Sequence, residues 1–143
     1  MTFSLAEVRA LLALSEPELR ERFGPGVDQD PESDYEGLED VFELSGGGLP
    51  GSVYLRNGRV VLVYVPRAAL DGVDPADIEG QLETEPARLR SRAGKTANLW
   101  VRPEEGVAYS ADATRVHFVE VFPPSTLKEY KKGIYIDHGP FKR

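Results

Sequence analysis

The sequence repeats itself. Sliding it by 70 residues lays SLAEVRALLALSEPELRERFG, from Ser4 to Gly24, on DPADIEGQLETEPARLRSRAG, from Asp74 to Gly94, without a gap. Six positions are identical: Ala6/Ala76, Leu12/Leu82, Leu19/Leu89, Arg20/Arg90, Arg22/Arg92 and Gly24/Gly94. Ser4 and Asp74 each offer a side-chain oxygen to the first free amides of a helix. Apolar residues three or four apart (Leu5, Val8, Leu11 and Leu12; then Ile78 and Leu82) predict a short amphipathic helix in each copy. A break and a second short helix, stopped by the glycine, complete a helical hairpin at both 4–24 and 74–94.

The segments after the two hairpins also correspond, with insertions. GSVYLRNGRVVLVYVPRAAL from Gly51 matches GVAYSADATRVHFVEVFPPSTL from Gly106, placing Tyr54 on Tyr109, Val61 on His117, Tyr64 on Glu120 and Leu70 on Leu127. Asn57-Gly58 between two runs of β-formers predicts a tight β-hairpin, because both turn residues must take positive φ. A looser turn is expected around Asp112, and a preceding strand in each copy at 38–44 and 97–102. The fold class read from this pattern is α+β: a tandem repeat of a helical hairpin plus an antiparallel three-strand meander. The repeats span 3–70 and 71–127, form one continuous sheet with helices on one face, and are followed by a C-terminal extension at 128–143.

Two helices ending in Leu-Arg-x-Arg-x-Gly (Leu19 to Gly24, Leu89 to Gly94), then an antiparallel meander, all in tandem, resemble the β-lactamase inhibitor protein fold. The single unit is similar to the small lipoprotein of the outer-membrane barrel assembly machinery. The resemblance covers about residues 3–127 and implies a protein that binds other proteins through its sheet. It carries over no partner-binding residue. The chain also departs from those families, which act outside the cytoplasm: there is no disulfide pair, no lipidation cysteine and no stretch that reads as a secretory signal.

With no cysteine, disulfides, thiolate zinc sites, iron–sulfur clusters and a cysteine nucleophile are all excluded. A cytoplasmic location is expected, and no run is apolar enough for a membrane span. The net charge of −7 argues against nucleic acid as the main partner, since gripping a phosphate backbone needs a basic surface.

Strand parity supplies the expected binding surface, because alternate side chains point to opposite faces. One parity is aliphatic: Val41, Val53, Leu55, Val61, Val63, Val65, Leu99, Val101, Val119 and Val121. That set is expected under the helices. The other mixes rings and charges: Asp40, Phe42, Tyr54, Arg56, Leu62, Tyr64, Trp100, Arg102, Phe118 and Glu120. These residues are expected to form an open sheet face that docks another protein, since Trp, Tyr and Arg dominate binding hot spots. The alternatives are a second small core, covered by the C-terminal segment, and a homodimer. A one-residue bulge would exchange the two sets locally.

From Asp28 to Glu43 the chain holds eight carboxylates and no basic residue. Acids at loop positions 1, 3, 5, 7, 9 and 12 of DQDPESDYEGLE match calcium-loop spacing, but Ser33 replaces the turn glycine and Pro31 stiffens the loop. A solvated acidic loop is the expectation, with no cofactor. Counter-charge lies at Arg88, Arg90, Arg92, Lys95 and Arg102, an interval free of acids, and again in the tail. Such segregation suits steering of a basic protein partner, as in acidic neutralisers of toxic nucleases, or head-to-tail pairing of copies. The run SGGGLPGS lacks the lysine and following helix of a phosphate loop and reads as a hairpin tip with Leu49 as an anchor. For chemistry only His117, His138 and Glu120 present themselves, with no identifiable nucleophile or carboxylate partner. His117 is expected to be structural, and Gly133 to His138 an edge strand or strap. The reading is therefore a non-enzymatic protein-binding or inhibitor module, with a toxin neutraliser and a small-molecule or calcium-binding domain as alternatives.

Overall fold

The computed structural model describes residues 4–24, 27–30, 42–91 and 97–135, with backbone alone at 28–30 and 42. Helix α1 (Leu5–Ala10) starts where Ser4 Oγ accepts the Glu7 amide and continues through a 3₁₀ turn, Leu11–Ala13. Helix α2 (Glu16–Phe23) opens on a capping box. Ser15 Oγ accepts the Glu18 amide, while the Ser15 amide donates to Glu18 Oε1 at 3.0 Å. It stops at Gly24, whose φ of 80° continues no helix.

Strands β1 (Val27–Asp30), β2 (Phe42–Gly46), β3 (Ser52–Arg56) and β4 (Arg59–Pro66) come next as a meander. Asn57 and Gly58 take φ of 53° and 77°, so the β3–β4 turn is the predicted one. After a 3₁₀ turn at Arg67–Leu70 and helix α3 (Pro75–Glu79) come β5 (Ala87–Arg90), β6 (Asn98–Arg102), β7 (Val107–Ala111) and β8 (Val116–Val121). Helix α4 (Leu127–Gly133) closes the described chain. The protein is α+β, with an open antiparallel sheet of eight strands in the order β1-β2-β3-β4-β8-β7-β6-β5. Among the described residues no helix is long and apolar enough to cross a membrane.

Three expectations are corrected. The second helix of the second hairpin does not form: 87–90 is the edge strand β5. Pro86 precedes it, and ARLRS alternates Ala87, Leu89 and Ser91 on one side with exposed Arg88 and Arg90 on the other, which is strand periodicity. The sheet gains β1 and β5 at its two ends, so each half contributes four strands where three are expected. Third, the helices do not all lie on one face. Helix α4 takes up the start of the C-terminal extension, where only Gly133 to His138 is expected to be a strap or strand, and its Tyr130 and Ile134 pack on the face opposite α1 and α3.

The sheet is therefore cored on both sides. On the α1 side, Leu5, Val8, Leu11 and Leu19 meet Val53, Leu55, Val63, Val65, Val119 and Val121 of the central strands. On the α4 side, Tyr130 and Ile134 meet Tyr54, Leu62, Leu99, Val101, Phe118 and Phe122. Burial of this kind contributes about 25 cal/mol per Å² of apolar surface, so two such layers leave little sheet bare.

Candidate functional site

The ten residues expected on one open face do not share it. Tyr54, Leu62, Tyr64, Phe118 and Glu120 do lie together on the α4 side, with Tyr64 opposite Glu120 in register and its ring 5.6 Å from that of Phe118. Yet Tyr54 (2% exposed), Leu62 (0%), Phe118 (4%) and Glu120 (2%) are core, and only Tyr64 is half-buried. Arg56 is half-buried at the β3–β4 turn. The backbone of Phe42 pairs with Leu55, and its side chain, like the whole of Asp40, lies outside the described residues.

Trp100 and Arg102 are on the opposite, α3 side. The row Arg88↔Trp100↔Tyr109↔Val119 runs across β5, β6, β7 and β8, and Tyr109 and Val119 belong to the α1-side core. Correspondingly, Leu99 and Val101 point toward α4 rather than under α1, because Tyr130 and Ile134 supply an apolar seat there. Val61 also leaves the expected set. The register passes from Tyr54↔Leu62 to Leu55↔Val60, so Val61 sits in a bulge and packs on the α4 side.

Arg102 holds an internal polar cluster. Its guanidinium, 4% exposed, donates to Glu79 of α3 through both terminal nitrogens, one at 2.8 Å, and through Nε to the Thr84 carbonyl at 2.7 Å. The Tyr109 hydroxyl also donates to Glu79. Burial pushes the Glu79 carboxyl up, but the hydrogen bonds from Arg102 and Tyr109 and the Arg102 charge hold it below the ordinary range. Burial, then the neighbouring Glu79 carboxylate, pushes the Tyr109 phenol above its ordinary value. Beside them Glu105 accepts the Thr84 hydroxyl at 2.6 Å and the Thr84 amide at 3.0 Å. Each group is matched to a neighbour, and the cluster ties α3 and the 83–84 turn to β6 and β7; this is the role of Arg102 in place of partner binding.

The other expected chemical groups are structural by their contacts. His117 Nε2 lies 3.1 Å from Asp112 Oδ2, and the Asp112 carboxylate caps its own turn by accepting the Thr114 and Arg115 amides at 2.9 Å. Those amide bonds, and His117 after them, hold Asp112 below the ordinary carboxylate range. Glu120 Oε1 accepts the Tyr130 hydroxyl at 2.5 Å. Leu49 packs half-buried on the α1-side core instead of standing out as an anchor. The calcium-spaced loop has its centre, 31–41, outside the described residues, as does His138.

The accessible part is the α3 side of the β5 edge. Beyond the Glu79–Arg102 contact, Trp100 and Asn98 are half-buried, and Arg88 and Arg90 are exposed. Arg88 is directly across from Trp100 and Arg90 from Asn98, so all four lie on one side of two adjacent strands. Sequence parity singled out Trp100 but missed Arg88 as its neighbour, because 87–90 reads as helix there; the A-R-L-R alternation after Pro86 was the available signal. No protein-family model, curated protein or solved structure matches the chain.

Proposed function

We propose that the chain is a non-enzymatic protein-binding module of the β-lactamase-inhibitor-like kind, and that its docking surface is the Trp100–Arg88 corner of the sheet. The observation that carries this reading is the position of the chain's one tryptophan. Trp100 is left half-buried beside an exposed cross-strand arginine, while Tyr109 and Val119, which continue its row across β7 and β8, are buried. Trp and Arg combine apolar area with hydrogen-bonding capacity and are the residues most enriched where partners seat. The α4-side rings are engaged in the protein's own core and do not serve this purpose.

The same reading takes the two halves as diverged copies of one unit. It is supported by the strand order, in which each half is a four-strand meander and the two meet at β4 and β8. It is supported also by the aligned pair Val61 and His117, each of which is the residue that the register skips. The match of Tyr54 with Tyr109 does not hold in register: Val53 faces Val63 as Tyr109 faces Val119, and Tyr54 lies on the α4 side while Tyr109 is in the α1-side core.

Site-specific photo-crosslinking tests the surface. A benzophenone side chain at position 88 is expected to capture a discrete protein from cells that make this chain, and one at Lys131 on exposed α4 is not. Equal capture from both positions, or capture from 131 alone, would remove the corner as the docking surface.

A further inference from the structure

Resting on that docking surface, we infer that its partner presents an acidic segment carrying an apolar side chain: the apolar group seats on Trp100 and a carboxylate meets Arg88. Local charge argues for it. Residues 86–102 contain five cations and no acid, in a chain whose net charge is −7. One of the five, Arg102, is turned inward onto Glu79. Arg88, on the edge strand and on the Trp100 side, is exposed. A half-buried ring with an exposed arginine directly across from it matches an apolar side chain accompanied by carboxylates, since the planar fork of Arg engages a carboxylate through two parallel bonds.

Nucleic acid is the weaker match. Its bases can stack on an indole, but its binding strengthens with the number of cations engaged along the backbone, and this corner presents few. A protein segment needs only a few carboxylates around one anchor, and electrostatic complementarity then sets its register and encounter rate.

The single tryptophan makes the test direct, because selectively excited indole emission reports this corner alone. The intact chain is titrated with a glutamate–tyrosine copolymer, with a lysine–tyrosine copolymer and with single-stranded oligothymidylate. The acidic copolymer is expected to shift Trp100 emission saturably. Arg88→Glu, with unchanged circular dichroism, should weaken that binding by roughly tenfold or more, and Arg88→Lys, which keeps the charge but loses the planar fork, should fall between Arg88→Glu and the wild type. Added salt should weaken it too.

A Trp100 response to the basic copolymer and not the acidic one would overturn the acidic partner while leaving the docking corner in place. A tighter response to oligothymidylate would replace the protein partner by nucleic acid. Emission that changes on dilution of the free protein would replace it by a second copy. No response to the acidic copolymer, or an equal one in Arg88→Glu, would also overturn the inference, and crosslinking from position 88 would then decide separately whether the corner docks anything.

Discussion

The Tyr130 hydroxyl donates to Glu120 Oε1 at 2.5 Å, joining helix α4 to the central strand β8 in a site where Tyr130 is 1% and Glu120 2% exposed. This bond closes the α4 side of the sheet. A carboxylate in the middle of an apolar layer is tolerated only when its oxygens are matched, so α4 both covers Glu120 and satisfies it. Tyr130→Phe keeps the ring contacts with Phe122 and removes one donor from a buried acid. It is expected to destabilise by about 1–3 kcal/mol. Tyr130→Ala also removes the ring and should cost about 3–5 kcal/mol. Urea unfolding followed by far-UV circular dichroism measures both, and equal midpoints for Phe and wild type would refute the hydrogen bond's contribution.

The Arg102–Glu79 pair is unequal: the Arg102 side chain is 4% exposed and that of Glu79 is 40%. Removing the carboxylate strands a desolvated guanidinium, whereas removing the guanidinium leaves an acid that water can reach. Glu79→Ala is therefore expected to cost about 3 kcal/mol, the low end for stranding a buried charge, because Glu105 still stands 3.9 Å from Arg102 Nε. Arg102→Met fills the same stem volume and should cost less than about 1.5 kcal/mol. The order of the two unfolding midpoints checks the asymmetry, and the reverse order contradicts it.

How far the residues alone revealed this architecture depends on whether one side of a strand faced water. Asn57-Gly58, the Ser4 cap and the aliphatic row Val53, Val63, Val65, Val119 and Val121 were legible, since each follows from local stereochemistry or from alternation. In β6 the rule fails. Leu99 and Val101 pack under α4 while Trp100 packs toward α1 and Arg102 bonds to α3, so both faces are occupied and hydropathy cannot say which is which. Helix α4 itself carried a signal, Thr126 capping the Glu129 amide, whereas only Gly133 to His138, from its last residue onward, reads as a strand or strap. The binding corner was half visible: Trp100 stood out, but its neighbour Arg88 depended on reading β5 as a strand.

Acid should weaken the α3 junction. In Glu105, burial raises the carboxyl, but the Thr84 hydroxyl, the Thr84 and Glu83 amides and the Arg9 charge outweigh it, so its pKa lies below the ordinary 4.5, as that of Glu79 does. The folded state thus binds these two protons less tightly than the unfolded chain. Their stabilisation is complete above the ordinary value and is lost as pH falls through the lower folded ones. Tyr109 has the opposite sign: its folded pKa is raised, so its contribution is complete below its ordinary 10.0 and is lost as pH climbs above that. Denaturant midpoints against pH should fall at both ends. Glu105→Gln should flatten the acid limb and Tyr109→Phe the alkaline one, and unchanged limbs would contradict the assignments.

Two glycines with similar backbone should respond differently to a methyl group. Gly58 (φ 77°) has nothing within 4 Å of the Cβ position, so Gly58→Ala meets only backbone strain, about 1–2 kcal/mol. Gly106 (φ 69°) would in addition drive its Cβ into the Phe122 carbonyl, whose neighbour Phe122 N–H donates to the Gly106 carbonyl at 2.9 Å. Neither backbone can yield without breaking that bond. Gly106→Ala should therefore cost at least about 1 kcal/mol more than Gly58→Ala, the added hydrogen-bond loss. Paired thermal melts read the difference, and equal shifts would show that the strand end is free to adjust.

If the Trp100 corner serves a partner, its exposed members should carry little of the folding energy. Arg88 is exposed and projects from the edge strand, so Arg88→Ala is expected to change stability by no more than about 0.5 kcal/mol. Trp100 is different, since its inner edge packs on the α1-side core while its remainder is open. Trp100→Phe, which retains the packed part of the ring, should cost about 1 kcal/mol, and Trp100→Ala about 3. The contrast separates the two roles that a half-buried aromatic can have. A corner built for folding alone would lose stability when Arg88 is truncated, because a structural guanidinium leaves unmatched acceptors behind. A corner built for binding loses partner affinity at Arg88 with its unfolding midpoint unmoved. Measuring both quantities on the same Arg88→Ala protein decides between them.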